Sequence, residues 1–313
     1  MINERMLQIV SNRRPPILYD PIEYVLSGTG KRIRPSLLLL ASNAVGGNIE
    51  AGLDAAVAVE LLHNFTLVHD DIMDEDAMRR GRLTVHEKWN VSISLLAGDG
   101  LLALAYQALL KTQTPKMQQI VDIFTDGLVE VCEGQALDID FETRKSVELA
   151  DYLDMIGKKT ACLLTVSARI GALIGGGDEM EVDALGKFAF NLGLAFQIQD
   201  DVLDIMSDET TIGKSYGSDV QKKKQTYLLV HALSSANETD REKLRRLLNR
   251  PVISPADVLA VKEIFQKAGS VDAAKSAVAN YVIDARENLR QLRNTFEKDC
   301  LLSFLETISK RDA

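Results

Sequence analysis

Five carboxylates crowd into seven residues of His69-Asp70-Asp71-Ile72-Met73-Asp74-Glu75-Asp76, directly after the apolar run LLHNFTLV. A second cluster, Phe196-Gln197-Ile198-Gln199-Asp200-Asp201-Val202-Leu203-Asp204, repeats the form DDxxD 130 positions later. On a helix the first and last Asp of DDxxD lie one turn apart on nearly the same face, and the middle one about 100° away. Unit charges ~4 Å apart repel by roughly 4 kcal/mol at intermediate dielectric, so such clusters take up protons unless a cation is present. Oxygen-only donors suit a hard divalent ion such as Mg²⁺, which keeps waters and completes its shell with substrate phosphates. Two acidic rims sharing Mg²⁺ would trap a diphosphate. The competing reading of the first run is a solvated helix end, with Glu75–Arg79 and Asp76–Arg80 as i,i+4 pairs. Two copies flanked by apolar residues favour the metal reading.

A diphosphate also needs cations. Gly30-Lys31-Arg32-Ile33-Arg34-Pro35 is a basic box at a helix start, where free backbone N–H groups favour anions. Arg79-Arg80-Gly81-Arg82, Lys158-Lys159-Thr160, Lys214 and Lys222-Lys223-Lys224 supply more. Arg holds phosphate oxygens in pairs and Lys acts as a point charge. Each group alone reads as solvated surface. Together with two DDxxD motifs they suggest two anionic substrates, one on metal and one on bare cations.

The elements that must position these groups read as helices. Period 3.6 recurs along the chain and no alternating strand pattern stands out. A helix starts near Arg34-Pro35 and ends at Gly46-Gly47. Others are expected at about 50–73, 92–111, 117–139, 148–174, 180–206, 222–236, 239–249, 255–268, 271–297 and 300–310, with Ser207–Gly213 as a loop. One all-α domain over 1–313 is the economical reading. The 313 residues are 46% hydrophobic and 26% charged, ordinary for a globular protein with a sizeable core. The net charge of −9 weighs against a nucleic-acid partner. Cys132, Cys162 and Cys300 are widely spaced without CxxC, which fits a reducing compartment. MINERMLQIVSNRRPP lacks the apolar core of a secretory signal, and TACLLTVSARIGALIGGG is broken by Arg169. No transmembrane segment and a cytoplasmic location are therefore expected.

At this point the residues carry a resemblance. GKRIRP, ELLHNFTLVHDDIMDEDAMRRGRLTVH, GQALDID, KKTA, FQIQDDVLD and GKSYGSDVQKKKQT follow the order seen in trans-isoprenyl diphosphate synthases, from about residue 28 to 232. The resemblance implies an isoprenoid-synthase-type bundle of long helices around a deep central cavity, usually a homodimer. It implies that Asp70, Asp71 and Asp74, with Asp200, Asp201 and Asp204, hold three Mg²⁺ on the diphosphate of an allylic substrate (dimethylallyl, geranyl or farnesyl). It assigns Arg79, Lys159, Lys214 and Lys224 to the same diphosphate. Lys31, Arg34, His63 and Arg80 match the metal-free site for isopentenyl diphosphate. Thr160 and Gln197 match polar residues whose oxygens lie near the developing cation, and Gln135 and Asp138 match cavity positions. His63 could equally be a satisfied core histidine, and Thr160 could bond back within its helix. His69, His86 and His231 read as structural, Lys222 and Lys223 as solvated, and Asp99 has no evident role.

The implied reaction is ionisation of the allylic diphosphate, attack by the isopentenyl double bond and loss of a proton. A class I terpene cyclase shares the DDxxD but does not need the basic box. A regulatory subunit of a heteromeric synthase typically lacks one acidic motif, and this chain keeps both. Phe65 lies five residues before Asp70, about 7.5 Å down a helix, where a ring would close the tunnel floor; Thr66 beside it is small. That pattern resembles geranylgeranyl (C20) synthases, with farnesyl (C15) synthases as the near alternative. The competing reading of Phe65 is core packing. Phe65→Ala is expected to lengthen the product. Separation of radiolabelled products by chain length checks this, and an unchanged length sinks the floor assignment.

Overall fold

The computed structural model describes residues 1–144, 146–206, 217–293 and 295–309. Its helices are α1 (Ile2–Val10), α2 (Pro16–Leu26), α3 (Ile33–Ala44), α4 (Ile49–Met73), α5 (Val85–Lys88), α6 (Val91–Leu109), α7 (Met117–Phe141), α8 (Leu149–Ile156), α9 (Cys162–Ile174) and α10 (Glu179–Met206). They continue as α11 (Ser218–Gln221), α12 (Tyr227–Ser235), α13 (Glu238–Leu248), α14 (Pro255–Lys267), α15 (Ser270–Asn288) and α16 (Phe296–Ser309). The described residues fall into two compact units. One comprises Met1–Leu128, Val166–Leu185 and Leu292–Leu301; the other comprises Val129–Thr165, Gly186–Gln291 and Leu302–Ala313.

The helical reading of the sequence holds, with local corrections. α1 and α2 were not anticipated; Pro16 at the first position of α2 costs no hydrogen bond there. The helix expected over 148–174 is interrupted by a π-helical turn, Gly157–Ala161, between α8 and α9. The helix expected from 222 starts only at Tyr227, where the Thr226 side chain accepts from Leu229 N–H and caps it. The span 271–297 breaks at a 3₁₀ turn, Leu289–Gln291, and α16 begins at Phe296. The expected loop 207–213 lies outside the described residues. One antiparallel strand pair, β1 (Met78–Arg79) with β2 (Arg82–Leu83), was also missed. Arg80 and Gly81 both take positive φ, 51° and 75°, the backbone of a tight two-residue hairpin turn.

In the first unit α4 is buried all round, with Ala55 to Val59, Leu61 and Leu62 fully inaccessible. A helix with no polar face is a core helix. By length and composition α4 and α6 could cross a membrane; the apolar window of α4 is 72% buried inside the protein and that of α6 39%. α9 packs against α3 at glycine: a Cβ on Gly171 would overlap the Leu38 carbonyl oxygen. In the second unit Tyr152, Ile198, Val202, Leu228, Val258 and Phe265 share one apolar cluster.

Backbone on one side of Gly171 leaves no room for relaxation. Gly171→Ala should destabilise the chain by about 1–3 kcal/mol, read as a lower urea midpoint with an unchanged slope.

Candidate active site

The first acidic motif ends α4. The helix is capped at its start by Asn48, whose side chain accepts from Ala51 N–H, and at its end the Asp74 N–H donates to the Asp70 carbonyl at 2.8 Å. That places the first and last aspartates one turn apart, both half-buried. Asp71 is different. It is 4% exposed and its Oδ1 accepts from Arg79 Nε. Burial pushes its carboxyl up, Arg79 opposes this, and the net value is about 6.

Around this rim sits the basic box. Arg32 is the left-handed residue (φ 49°) before α3, and its guanidinium is spent on the protein. It donates to Glu60 Oε1 at 2.6 Å, Asn3 Oδ1 at 2.8 Å and the Gly28 carbonyl at 3.0 Å. Glu60 projects from α4 and is 4% exposed. Arg80 Nη1 donates to the Thr29 carbonyl at 2.7 Å, which ties the β-hairpin to the same loop. Arg34 Nη1 lies 3.2 Å from His63 Nε2. A guanidinium only donates, so Nε2 accepts and the ring proton resides on Nδ1. Burial lowers the Arg34 pKa to about 10. Lys31 is exposed.

Further down α4, Phe65 is buried and rests edge-on against His69, ring centroids 4.8 Å apart. The imidazole of His69 fits against α6 because Gly98 has no side chain, and its Nε2 lies 3.3 Å from the Leu95 carbonyl. Thr66 Oγ1 donates back to the His63 carbonyl at 2.8 Å. Asp99 is exposed, 4.0 Å from His69.

The second unit holds the other groups. The π-helical turn carries Lys159 and Thr160, and α7 meets it at Gly134, where a Cβ would overlap the backbone nitrogen of Lys159. One turn on, buried Asp138 catches the tip of the same lysine: Lys159 Nζ lies 2.7 Å from Oδ2, and Lys224 Nζ 3.2 Å from the same oxygen. Burial pushes Asp138 up, but the two ammonium groups outweigh it and its pKa lies below the usual carboxylate value. Gln135 is buried on the same helix. Lys223, expected to be solvated, has a positive φ of 58° and donates at an exposed position to the Arg250 carbonyl at 2.8 Å. Lys222 is exposed. Lys214 lies outside the described residues.

The second acidic motif ends α10. Asp200 and Asp204 are half-buried, and Asp204 Oδ2 accepts from Asp219 N–H at 3.1 Å. Asp201 is 4% exposed and accepts from Tyr152 O–H at 2.6 Å, Tyr227 N–H at 2.9 Å and Gln197 Nε2 at 3.1 Å. Thr160 Oγ1 donates to Gln197 Oε1 at 2.9 Å. His231 stacks on Tyr227, and His86 is half-buried beside Glu87. Sequence reasoning missed Glu60, although a lone charge inside AAVAVELLHNF was a signal. Nothing in the sequence pointed to Tyr152, since its link to Asp201 spans 49 positions and no motif.

His63 has a sign-definite consequence for stability. Burial, then the nearby Arg34, Arg80, Arg79 and Arg32, hold it well below its ordinary 6.5. The unfolded chain takes up a proton there that the folded chain refuses. This contribution is therefore full above pH 6.5 and is lost as the pH falls. His63→Gln cannot take that proton, so its urea midpoint should drop less between pH 6.5 and about pH 5 than that of the parent chain.

Comparison with known proteins bears on the family and the fold. A family model described as polyprenyl synthetase matches residues 15–267. A short chain isoprenyl diphosphate synthase from Methanothermobacter thermautotrophicus is 39% identical over 315 residues, spanning 100% of this chain and 96% of that protein. A geranylgeranyl diphosphate synthase from Methanosarcina mazei is 38% identical, spanning 96% of this chain and 91% of that one. The crystal structure of geranylgeranyl pyrophosphate synthetase from Pyrococcus horikoshii superimposes with a TM-score of 0.95 at 36% identity, covering 99% of this chain and 95% of that chain. A match over most of the chain in sequence and in fold leads to one conclusion: the chain belongs to the polyprenyl synthetase family, trans-prenyltransferases of the all-α isoprenoid-synthase fold.

Proposed function

We propose that the chain condenses isopentenyl diphosphate with an allylic diphosphate and releases a C20, geranylgeranyl-type, product. One observation carries the reading. Each acidic motif ends an apolar, largely buried helix, α4 or α10, and each compact unit also holds fixed cations: Arg79 and the basic box in the first, Lys159 and Lys224 on Asp138 of α7 in the second. Such an end suits a substrate with an ionic head and a greasy tail.

The donor set fits magnesium. Asp70, Asp74, Asp200 and Asp204 offer hard oxygens at helix ends. Among the described residues no three Asp, Glu, His or Cys side chains form a metal cage. A rim of two carboxylates leaves the remaining positions to phosphate oxygens and water, the manner in which Mg²⁺ is commonly held. Three ions per active site is the number the family resemblance implies. When bound, magnesium neutralises the diphosphate and makes it a better leaving group. Arg79, Lys159, Lys224 and Lys214 bind the same allylic head. Lys31, Arg34, Arg80 and His63 bind the isopentenyl head; His63, neutral, orients Arg34 rather than adding charge. Thr160 and Gln197 turn oxygen lone pairs towards the positive charge that develops on the allyl group. The apolar core side chains exclude water that would quench it. The proton leaves with the released diphosphate. Phe65, pinned by His69, ends the tunnel.

The neighbours' names support the C20 assignment over C15. The exposed Leu95 and Leu96 of α6 suit burial against a second copy, which supports a homodimer; the cytoplasmic location rests on the sequence reading alone.

Incubation with farnesyl diphosphate, labelled isopentenyl diphosphate and Mg²⁺ should yield a C20 diphosphate and nothing when either substrate is left out. Asp74→Asn should lower kcat/KM by ~10²-fold or more and raise the Mg²⁺ needed for half-maximal rate. Turnover of the allylic substrate alone would identify a cyclase. Inactivity rescued by a second chain would identify a subunit.

A further inference from the structure

Asp201 sits in a motif whose other members reach a half-exposed rim, yet its own carboxylate has no room for a ligand from solvent. Both oxygens are engaged: Oδ2 by the Tyr152 hydroxyl and the Tyr227 backbone N–H, Oδ1 by the Gln197 amide. The side chain is 4% exposed. Two of the three donors come from outside α10, so the arrangement belongs to the tertiary fold and not to the motif.

The consequence falls on Gln197. An amide can present either its oxygen or its NH₂ to a neighbour. Gln197 Nε2 donates to Asp201 Oδ1 at 3.1 Å, so the NH₂ faces Asp201. Its oxygen then faces Thr160, which donates its single proton to it at 2.9 Å. With that proton spent, Thr160 Oγ1 and Gln197 Oε1 can offer only lone pairs, while Gln197 Nε2 keeps one further N–H. The polarity is set at Asp201 and delivered two residues away.

We propose that Asp201 is a positioning residue, holding Gln197 oxygen-outward so that the Thr160–Gln197 pair offers lone pairs to the allylic cation, and not a direct ligand of magnesium. The proposal rests on the prenyl-transfer reading above. It makes an inverted-polarity prediction. In Asp201→Asn the backbone N–H of Tyr227 cannot reverse, so the asparagine oxygen stays on it and the asparagine NH₂ faces Gln197. Two NH₂ groups then meet. Gln197 turns over, and N–H groups point at Thr160 and the cation instead of oxygen. Gln197→Glu in the same chain removes the conflict, because a carboxylate accepts from the asparagine and still offers oxygen to Thr160.

The test compares Asp201→Asn, Gln197→Glu and the double variant in steady-state turnover. Calorimetric binding of inorganic pyrophosphate with Mg²⁺ gives a readout that needs no turnover. Asp201→Asn should lower kcat by ~10²-fold while leaving pyrophosphate affinity and the Mg²⁺ half-saturation within about 2-fold, and the double variant should recover at least ~10-fold of the loss. Pyrophosphate binding weakened ~10-fold or more in Asp201→Asn, or a double variant no better than Asp201→Asn, overturns the proposal. Should Asp201→Asn fail to fold, Gln197→Met takes its place. It deletes the amide but keeps the bonds of Asp201 to Tyr152 and Tyr227, and full activity in it overturns the proposal. An inactive parent chain would instead count against prenyl transfer itself, a separate failure visible before any variant is compared.

Discussion

Like charges forced together at the end of an apolar helix are the constraint from which the rest follows. α4 is buried all round for most of its length and then ends in Asp70, Asp71 and Asp74; α10 ends in Asp200, Asp201 and Asp204. Such an end is stable only if something neutralises it. The protein resolves part of the repulsion internally by giving the middle aspartate of each motif to protein donors, Arg79 for Asp71 and Tyr152, Tyr227 and Gln197 for Asp201. The outer aspartates remain at a half-exposed rim, where a cation and a diphosphate can complete the balance.

The cations obey the same logic with the sign reversed. Several guanidinium and ammonium groups close together would repel and splay into water. Buried carboxylates hold them: Glu60 takes Arg32 in the first unit, and Asp138 takes Lys159 and Lys224 in the second. Removing either carboxylate would take from these half-buried cations their shortest ionic contact, a larger loss than the net value of the ion pair suggests. The geometry of approach matters as much as charge. The π-helical turn re-aims Lys159 and Thr160, and Gly134 lets α7 come close enough for Asp138 to reach the lysine.

The product-length role proposed for Phe65 belongs to a different physical regime, packing rather than charge. Phe65 lies below the ionic rim and is braced by His69, which is itself admitted against α6 by Gly98. Phe65 lies five residues before Asp70, a distance of about 7.5 Å along the helix that the sequence sets directly.

By itself the sequence determined the all-α class, the positions of α4, α6, α7 and α10, and the two acidic motifs with their cations, because helical period and carboxylate spacing are local properties. It could not separate Asp71 from Asp70 or Asp201 from Asp200. The spacing is the same in every DDxxD, and what distinguishes the middle residue is its burial, 4% exposed in both motifs while the outer aspartates are half-buried. It also read 148–174 as one helix, since a π-helical turn keeps the apolar pattern on either side of it. Tyr152, Glu60 and the role of Gly134 were decided only by tertiary structure. Each depends on a close approach between segments far apart in the chain, and burial then turns an ordinary polar residue into a fixed partner.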